Sequence, residues 1–432
     1  MNAGEIAQLA FLLLIFGVGF LWTVNIFFQE PIARLVARSR EHLHQYPVFR
    51  LHFPGRGDAV WERLGTIEAS DPAFDREAFL CKVEGGFHKV QAAWSAQDLE
   101  SVRGFLSDGV FSRFLTYLEL DRLQGQRNQV SDVRVLKRGI VDARVDNDFQ
   151  SITVGIYASV VDVTVSASKG VLRSGSKEPV RFVEHWTFLR RPGVESREDG
   201  FGEPNCPNCG AALAEGQVAR CEHCGALINS GAYDWVLAEI TQEGAEPPND
   251  SALRSVSMHT LAIDDSVSIQ ALEDRASVIF WSLIDASFRG DISVAQRLLT
   301  PELLENYRPG YEAEKRRTVI DVGVGAVWTE TLRADGALRA SVAVRWECKR
   351  LISGHNLGQV QRTSRLLLVK SPGGDAARRG LASAGCGQCG GPLERTGQAR
   401  CPWCGHDFSP VATDWLLDSA DLRDLGAIPG DE

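Results

Sequence analysis

The chain has 432 residues, 44% of them hydrophobic and 24% charged, which is enough for two or three cored domains of ordinary globular composition. Its formal net charge is −10 and its lysines and arginines are scattered. Binding to phosphate backbones needs a basic surface, so the composition argues against nucleic acid as a partner.

The first predicted element is a membrane span. From Ile6 to Phe28 the sequence IAQLAFLLLIFGVGFLWTVNIFF contains no charged residue. At ~1.5 Å per helical residue, such a run covers the ~30 Å hydrocarbon core of a bilayer. Trp22 and Phe27-Phe28 suit the interface, and Pro31 can end the span. A cleaved signal peptide would begin with basic residues and end in a small-residue cleavage site, whereas MNAGE carries Glu5 and no Lys or Arg. A retained transmembrane helix is therefore expected over residues 5–28, with the lipid bilayer as its partner. Arg34, Arg38 and Arg40 follow the span, and no basic residue precedes it. That asymmetry places the C-terminal bulk in the cytoplasm. Residues 29–66 read as a juxtamembrane segment, either a helix on headgroups or a solvated stalk, with a break at Pro54-Gly55-Arg56-Gly57-Asp58.

Next comes an α+β module over residues 67–191. Phe79, Val83, Phe87, Val90 and Trp94 recur at three- and four-residue spacing, giving one apolar helical stripe. A short helix is expected near Asp98–Phe105 with Asp98 as its N-cap, and a third from about Val110 to Leu123. The period then changes to two, at Val133 and Val135, at Val141 to Val145, at Ile152 to Ile156, and at Val180 to Phe188. Asp146-Asn147-Asp148 supplies a turn, and Pro192–Asn205 reads as a linker. Helices first and antiparallel strands second predict helices covering one sheet face.

Residues 204–242 hold Cys206, Cys209, Cys221 and Cys224 in a C-x2-C-x11-C-x2-C pattern, each pair followed by a glycine. A C-x-x-C turn aims two thiolates at one point, and the glycine accepts the left-handed backbone that closes the knuckle. Two knuckles can hold four sulfurs ~2.3 Å from one Zn²⁺, leaving no open position, so the site is expected to be structural. Asp234-Trp235 follows in a run, Tyr233 to Ile240, that reads as helix-like. Trp235 is expected to pack the ribbon on its neighbour.

After a linker over residues 243–258, a second module repeats the order over residues 259–370. Leu272, Ala276, Ile279, Leu283 and Ala286 mark a helix, and a shorter one is expected near Val294–Leu299. Strands follow at Val319–Val327, Leu338–Trp346 and Arg362–Lys370, with an Asp335-Gly336 turn. Ser371–Gly380 reads as another linker. A second quartet, Cys386, Cys389, Cys401 and Cys404, lies within residues 384–420, 180 residues after the first, and leads to Asp414-Trp415. The repetition predicts a duplicated unit, each α+β domain followed by its own ribbon, with two structural zinc ions in all. Thiolates that hold zinc imply a reducing compartment. His223 and His406 are expected beside the sulfurs and not among the ligands. Cys81 and Cys348 read as small buried hydrophobes, and Trp403 is open as a contact residue.

No Ser/His/Asp set, phosphate loop or open metal site stands out, so no catalytic residue is assigned and the protein is read as non-catalytic. His88, Glu184 and His185 are the residues that a cavity enzyme would use. His88 falls beside the apolar stripe, and Glu184 and His185 alternate faces of one strand, so at most one of that pair points inward.

Three stretches resemble a known family: Asp71-Pro72-Ala73-Phe74-Asp75-Arg76-Glu77-Ala78-Phe79, the Trp94–Leu106 segment, and Glu184-His185-Trp186-Thr187-Phe188-Leu189-Arg190. They resemble the C-terminal domain of the mitochondrial inner-membrane import translocase subunit 44, over about residues 65–191. The second half is similar only in the order of its elements, because Asp-Pro-x-Phe is missing there. The resemblance implies a cone-shaped fold of the nuclear-transport-factor-two type, here in two tandem copies, with a cavity between helices and sheet. It also implies a scaffold or binding protein of a bacterial inner (cytoplasmic) membrane, acting in protein transport or assembly on a protein partner that the sequence does not identify. The alternative is an enzyme or small-ligand binder using the cavity of the first domain.

Overall fold

A computed structural model describes residues 57–146, 148–213, 219–242, 267–312, 317–352, 355–370, 400–401, 404–405 and 415–422. The expected span over residues 5–28, the linker over residues 243–258, the Ser371–Gly380 linker, Cys386, Cys389, Trp403, His406 and Asp414 lie outside the described residues. Among the described residues no helix is long and apolar enough to cross a membrane.

The first half opens with α1 (Gly57–Ser70), α2 (Arg76–Ala96), a 3-10 helix (Glu100–Phe105) and α3 (Asp108–Leu123). Side chains with free oxygens start the longer helices. Asp75 accepts the Ala78 N–H at 2.7 Å, and Ser107 accepts the Val110 N–H at 3.2 Å. The helices bury an apolar stripe, including Leu64, Val83, Phe87 and Val102, with Ile152, Val154, Trp186 and Phe188 of an antiparallel sheet. Its strands β1 (Gln126–Val145), β2 (Gln150–Ser166), β3 (Leu172–Arg190) and β4 (Val236–Gln242) lie in the order β1-β2-β3-β4.

The second half repeats this with α4 (Ile269–Arg289), a 3-10 helix (Ile292–Leu298) and α5 (Pro301–Glu312), then β5 (Arg317–Asp335), β6 (Ala337–Ile352), β7 (His355–Lys370) and β8 (Leu416–Ala420) in one sheet. The class is α+β with two four-stranded sheets, as the sequence predicts.

Four expectations need correction. The Tyr233–Ile240 run is not helical: Val236–Gln242 is the fourth strand, paired through Phe188↔Leu237 and Leu189↔Val236. Its counterpart β8 pairs through Leu368↔Leu417 and Val369↔Leu416. Each quartet is thus inserted between the third and fourth strands of a sheet and does not follow a finished domain. Second, α1 and α5 were not legible in the sequence, although Leu64 and Ile67 of α1 are fully buried. Third, the Pro192–Asn205 linker is exposed over most of its length but is pinned to the core at Phe201. Phe201 stacks between Phe105 at 5.0 Å and Phe188 at 5.3 Å. Fourth, Cys348 is buried but Cys81 is exposed on α2, where Arg138 donates to its sulfur at 3.1 Å.

The duplication is visible in backbone irregularities. The β1–β2 ladder shifts register between Ser131/Arg134, Val135/Lys137 and Ile140/Asp142, and the β5–β6 ladder between Ile320/Gly323, Val324/Ala326 and Thr329/Thr331. Such bulges bend a strand, which lets a long sheet curve around its helices. They also break the alternation that marks a strand in sequence. Both halves close the same way: Ser107 N–H donates to Leu237 O, and Thr300 N–H to Leu417 O, each at 2.9 Å.

The halves pack on each other. Tyr117 of α3 meets Trp281 of α4 with ring centroids 4.9 Å apart, Leu120 is buried in the second core, and Arg289 pairs with Glu119 at 2.5 Å. Gly109 donates its N–H to Asp274 Oδ1 at 3.0 Å. A Cβ at Gly109 would stand 2.4 Å from that oxygen, so only glycine permits the approach.

Candidate metal centre

The first ribbon is built from two knuckles. Gly210 N–H donates to Cys206 O and Gly225 N–H to Cys221 O, both at 2.9 Å, with both glycines at φ +73. Short bridges, Asn205↔Ala212 and Arg220↔Leu227, hold each knuckle at its base. Cys206 and Cys221 are buried at 3% and 1% exposure, while Cys209 and Cys224 face outward.

The four sulfurs converge. Cys206 Sγ lies 3.7 Å from Cys224 Sγ, and Cys209 Sγ lies 3.7 Å from Cys221 Sγ. All four lie within 4.8 Å of one another. A tetrahedron with metal–sulfur bonds of ~2.3 Å has sulfur–sulfur edges of about 3.8 Å, so the cluster fits a zinc ion. Disulfides, at ~2.05 Å, are excluded by the same distances. Asn208 donates its side-chain N–H to Cys224 Sγ at 3.4 Å, which, with the Ala226 N–H, pulls that thiol down, while burial and the neighbouring sulfurs push Cys209 up, so the quartet without its metal shares protons. A thiolate there is the form a metal needs. His223 is exposed and is not one of the converging groups, as expected.

Of the second quartet, Cys401 and Cys404 are described. They repeat the second knuckle of the first ribbon, with Cys401 buried, Cys404 exposed, Gly405 N–H on Cys401 O at 3.0 Å and Gly405 at φ +70.

The exit from the first ribbon is anchored to the domain. Asn229 donates to Leu106 O at 3.1 Å and to Asp108 Oδ1 at 3.2 Å. Asp234 pairs with Lys82 at 2.6 Å. Trp235, 2% exposed, enters the domain core and not merely the ribbon's flank. It lies 5.2 Å from Phe79 and 6.2 Å from Phe74, and the Arg190 guanidinium stands 4.4 Å from its ring.

Arg190 is fully buried and donates from its terminal nitrogens to Asp71 Oδ2 at 2.7 Å, Gln150 Oε1 at 2.9 Å and Ser196 Oγ at 3.0 Å. Burial pushes the Asp71 carboxyl up, but its bonds from Ser196 and Arg190 outweigh that and hold it below the usual carboxylate range. The motif residues Asp71, Phe74, Phe79 and Arg190 therefore form one lock around Trp235. The sequence signal for it was a charge closing an apolar strand, Trp186-Thr187-Phe188-Leu189-Arg190, with its partner across the fold in Asp71-Pro72.

The catalytic candidates do not come together. His88 is exposed on α2. His185 is buried on the opposite sheet face from Glu184. Glu184 faces the helices, accepts the Trp186 indole N–H at 2.9 Å, and is pushed up by burial.

A family model for the Tim44-like domain matches residues 60–200. The resemblance carried by the Asp71–Phe79 and Glu184–Arg190 motifs is thereby borne out for the first half, and the matched span stops short of the quartet. A solved structure described as "Ntf2 like protein involved in plasmid conjugation" is similar over 65% of this chain and 91% of that chain. Its identity is 11% and its TM-score 0.13, too slight a likeness to define the fold. No curated protein matches the chain.

Proposed function

We propose that this chain is a membrane-anchored, non-catalytic binding or scaffold protein. Residues 5–28 cross an inner membrane, and two tandem cone-like domains of the nuclear-transport-factor-two type stand on its cytoplasmic side. Each domain holds one structural zinc, through Cys206, Cys209, Cys221 and Cys224 and through Cys386, Cys389, Cys401 and Cys404. The observation that supports this most is the placement of the first quartet. Four protein sulfurs leave no position for water or substrate, and the ribbon is inserted in the chain between two strands that pair directly in one sheet. Among the described residues it is the one group with metal-ligand geometry. When bound, zinc would supply cross-linking and no reaction chemistry.

The Tim44-like match over residues 60–200 favours protein transport or assembly as the process, with a protein as partner. The formal charge of −10 disfavours nucleic acid. The test is carbonate extraction and photo-cross-linking of the full chain in native membranes. The expected chain stays with the membrane and forms a discrete protein adduct from the domain surface. Release by carbonate, with no adduct from any position, contradicts the proposal.

A second reading, a ligand-binding or catalytic cavity in the first domain, is favoured by Glu184 alone, a buried carboxyl pushed up toward the range of a general acid. Against it, Phe87 and Trp186 fill the space beside that residue, 5.2 Å apart. A ligand whose binding is abolished by Glu184→Gln would favour this second reading.

A further inference from the structure

The seam between the two halves gathers acidic groups that neither the metal centre nor the cores use. Glu239 on β4 and Glu273 and Asp274 on α4 line one small cavity of about 20 Å³, together with Thr187, Gln270 and Ser277. That is room for about one water molecule. Two of the carboxyls bond across the seam. Glu239 Oε1 accepts the Val327 N–H at 3.4 Å, and Asp274 Oδ1 accepts the Gly109 N–H at 3.0 Å. Glu273 Oε1 accepts the Thr329 N–H at 2.7 Å from β5. Asp274 is 3% exposed, and its second oxygen has no hydrogen-bond partner.

Charge here must be neutralised or expelled. A metal does not fit, because the carboxylate oxygens do not converge as the cysteine sulfurs do. The cations facing the cluster are few and engaged. Arg113 and Arg144 face Glu239, and Arg144 also faces Glu273, but Arg144 pairs with Asp142 at 2.8 Å and Arg113 donates to Ile240 O at 2.9 Å. Asp274 faces Arg103, which is bonded to Asp108, and Asp108 itself faces Asp274. Asp146, at the β1–β2 turn, reaches Gln270 and is also pushed up by burial. Protons are the remaining way to remove the charge.

We propose that the seam is a proton-gated joint, closed while Glu239, Glu273 and Asp274 hold protons and loosened when they ionise. Burial, with the charge of Glu239 added, pushes Glu273 up to about 8. Burial also pushes Asp274 up to about 8, against the Ser107 bond and with help from the Asp108 charge. Burial raises Glu239 as well. A carboxyl whose closed-state pKa is raised stabilises the closed state fully below the ordinary carboxylate range. That contribution is lost as pH rises through the raised value, here about 8. For one carboxyl moved from about 4 to about 8, the closing equilibrium falls roughly 50-fold between pH 6 and pH 8. Neutral pH lies inside that window, so modest pH changes would set how firmly the two halves hold together.

The test is amide hydrogen exchange of the full chain at pH 6 and pH 8.5, rescaled for the intrinsic rate. Gly109 and Val327 report the seam, Thr329 reports the Glu273 bond on the second half's side of it, and the β6–β7 ladder serves as internal control. Protection of the seam amides is expected to drop more than tenfold at the higher pH, while β6 and β7 stay constant. Glu273→Gln with Asp274→Asn keeps both acceptor oxygens but removes both titrations, and is expected to flatten the response. Equal seam protection at both pH values in the unaltered chain would overturn the proposal, and this arm depends on no variant. A folded double variant that keeps the full pH response would overturn it too.

Discussion

The two halves share a backbone and differ in what locks it. Both carry three register shifts in the first ladder, the same parallel bridge to the fourth strand, and a nearly buried tryptophan at its start, Trp235 at 2% and Trp415 at 4% exposure. Among the described residues the Asp71–Arg190 lock occurs in the first half alone. At the matching end of β7 stands Lys370, 2% exposed, and no Asp-Pro-x-Phe precedes α4. In this chain the Asp71–Phe79 and Glu184–Arg190 motifs therefore build a clamp on Trp235, while the bulges and the bridge to the fourth strand are common to both halves. The equivalent helices differ as well. Cys81, His88 and Lys89 of α2 face solvent, whereas α4 is covered on nearly every side, because α3 of the first half packs on it. Buried polar groups on α4, Asp274 among them, are a consequence of that docking.

Breaking one ribbon is expected to have the largest effect. Zinc binding in such modules is worth about 10–16 kcal/mol apparent, so Cys206→Ser should unfold the first ribbon and release β4 while leaving β8 protected. Exchange mapping of both strands checks this, and equal losses in the two halves would dissolve the distinction between them. Next, Asp71→Ala leaves Arg190 as an unpaired buried charge and should destabilise the first half by about 3–5 kcal/mol. Chemical denaturation reads that cost, and a change near zero would remove the lock from the first half. Gly109→Ala should cost about 1–3 kcal/mol, seen as faster exchange across α3 and α4 with metal content unchanged.

The pH effect, comparable in size to the Gly109 substitution, has opposite signs in two places. Asp71 is held below its ordinary value, so its contribution is present above the unfolded pKa and lost as pH falls through the lowered one. The seam carboxyls behave in reverse and weaken the joint as pH rises. A pH series of denaturation and exchange together should separate the lock from the seam, and parallel trends would contradict both assignments.

What could be read from sequence followed local periodicity and spacing. The quartet was legible because C-x2-C knuckles are local, and α2, α3 and α4 because their apolar stripes are uninterrupted. β1 reads in fragments because the bulge at Asp132 breaks the alternation, and β5 (Arg317–Asp335) reads only over Val319–Val327. β4 reads as helix in the sequence because Val236-Leu237-Ala238-Glu239-Ile240 carries no clear alternation and its partner Phe188 lies across the ribbon insertion. The lock and the seam are long-range: Asp71 meets Arg190, and Gly109 meets Asp274, through folding alone. No spacing rule reaches that far.

The most direct measurement is metal content of the purified full chain, paired with exchange of β4 and β8 before and after chelation. Two zinc ions per chain are expected, and chelation should strip protection from Val236–Gln242 and Leu416–Ala420 together with the ribbons. A metal-free chain with both fourth strands protected, or zinc loss that leaves them untouched, would contradict the inserted structural ribbon.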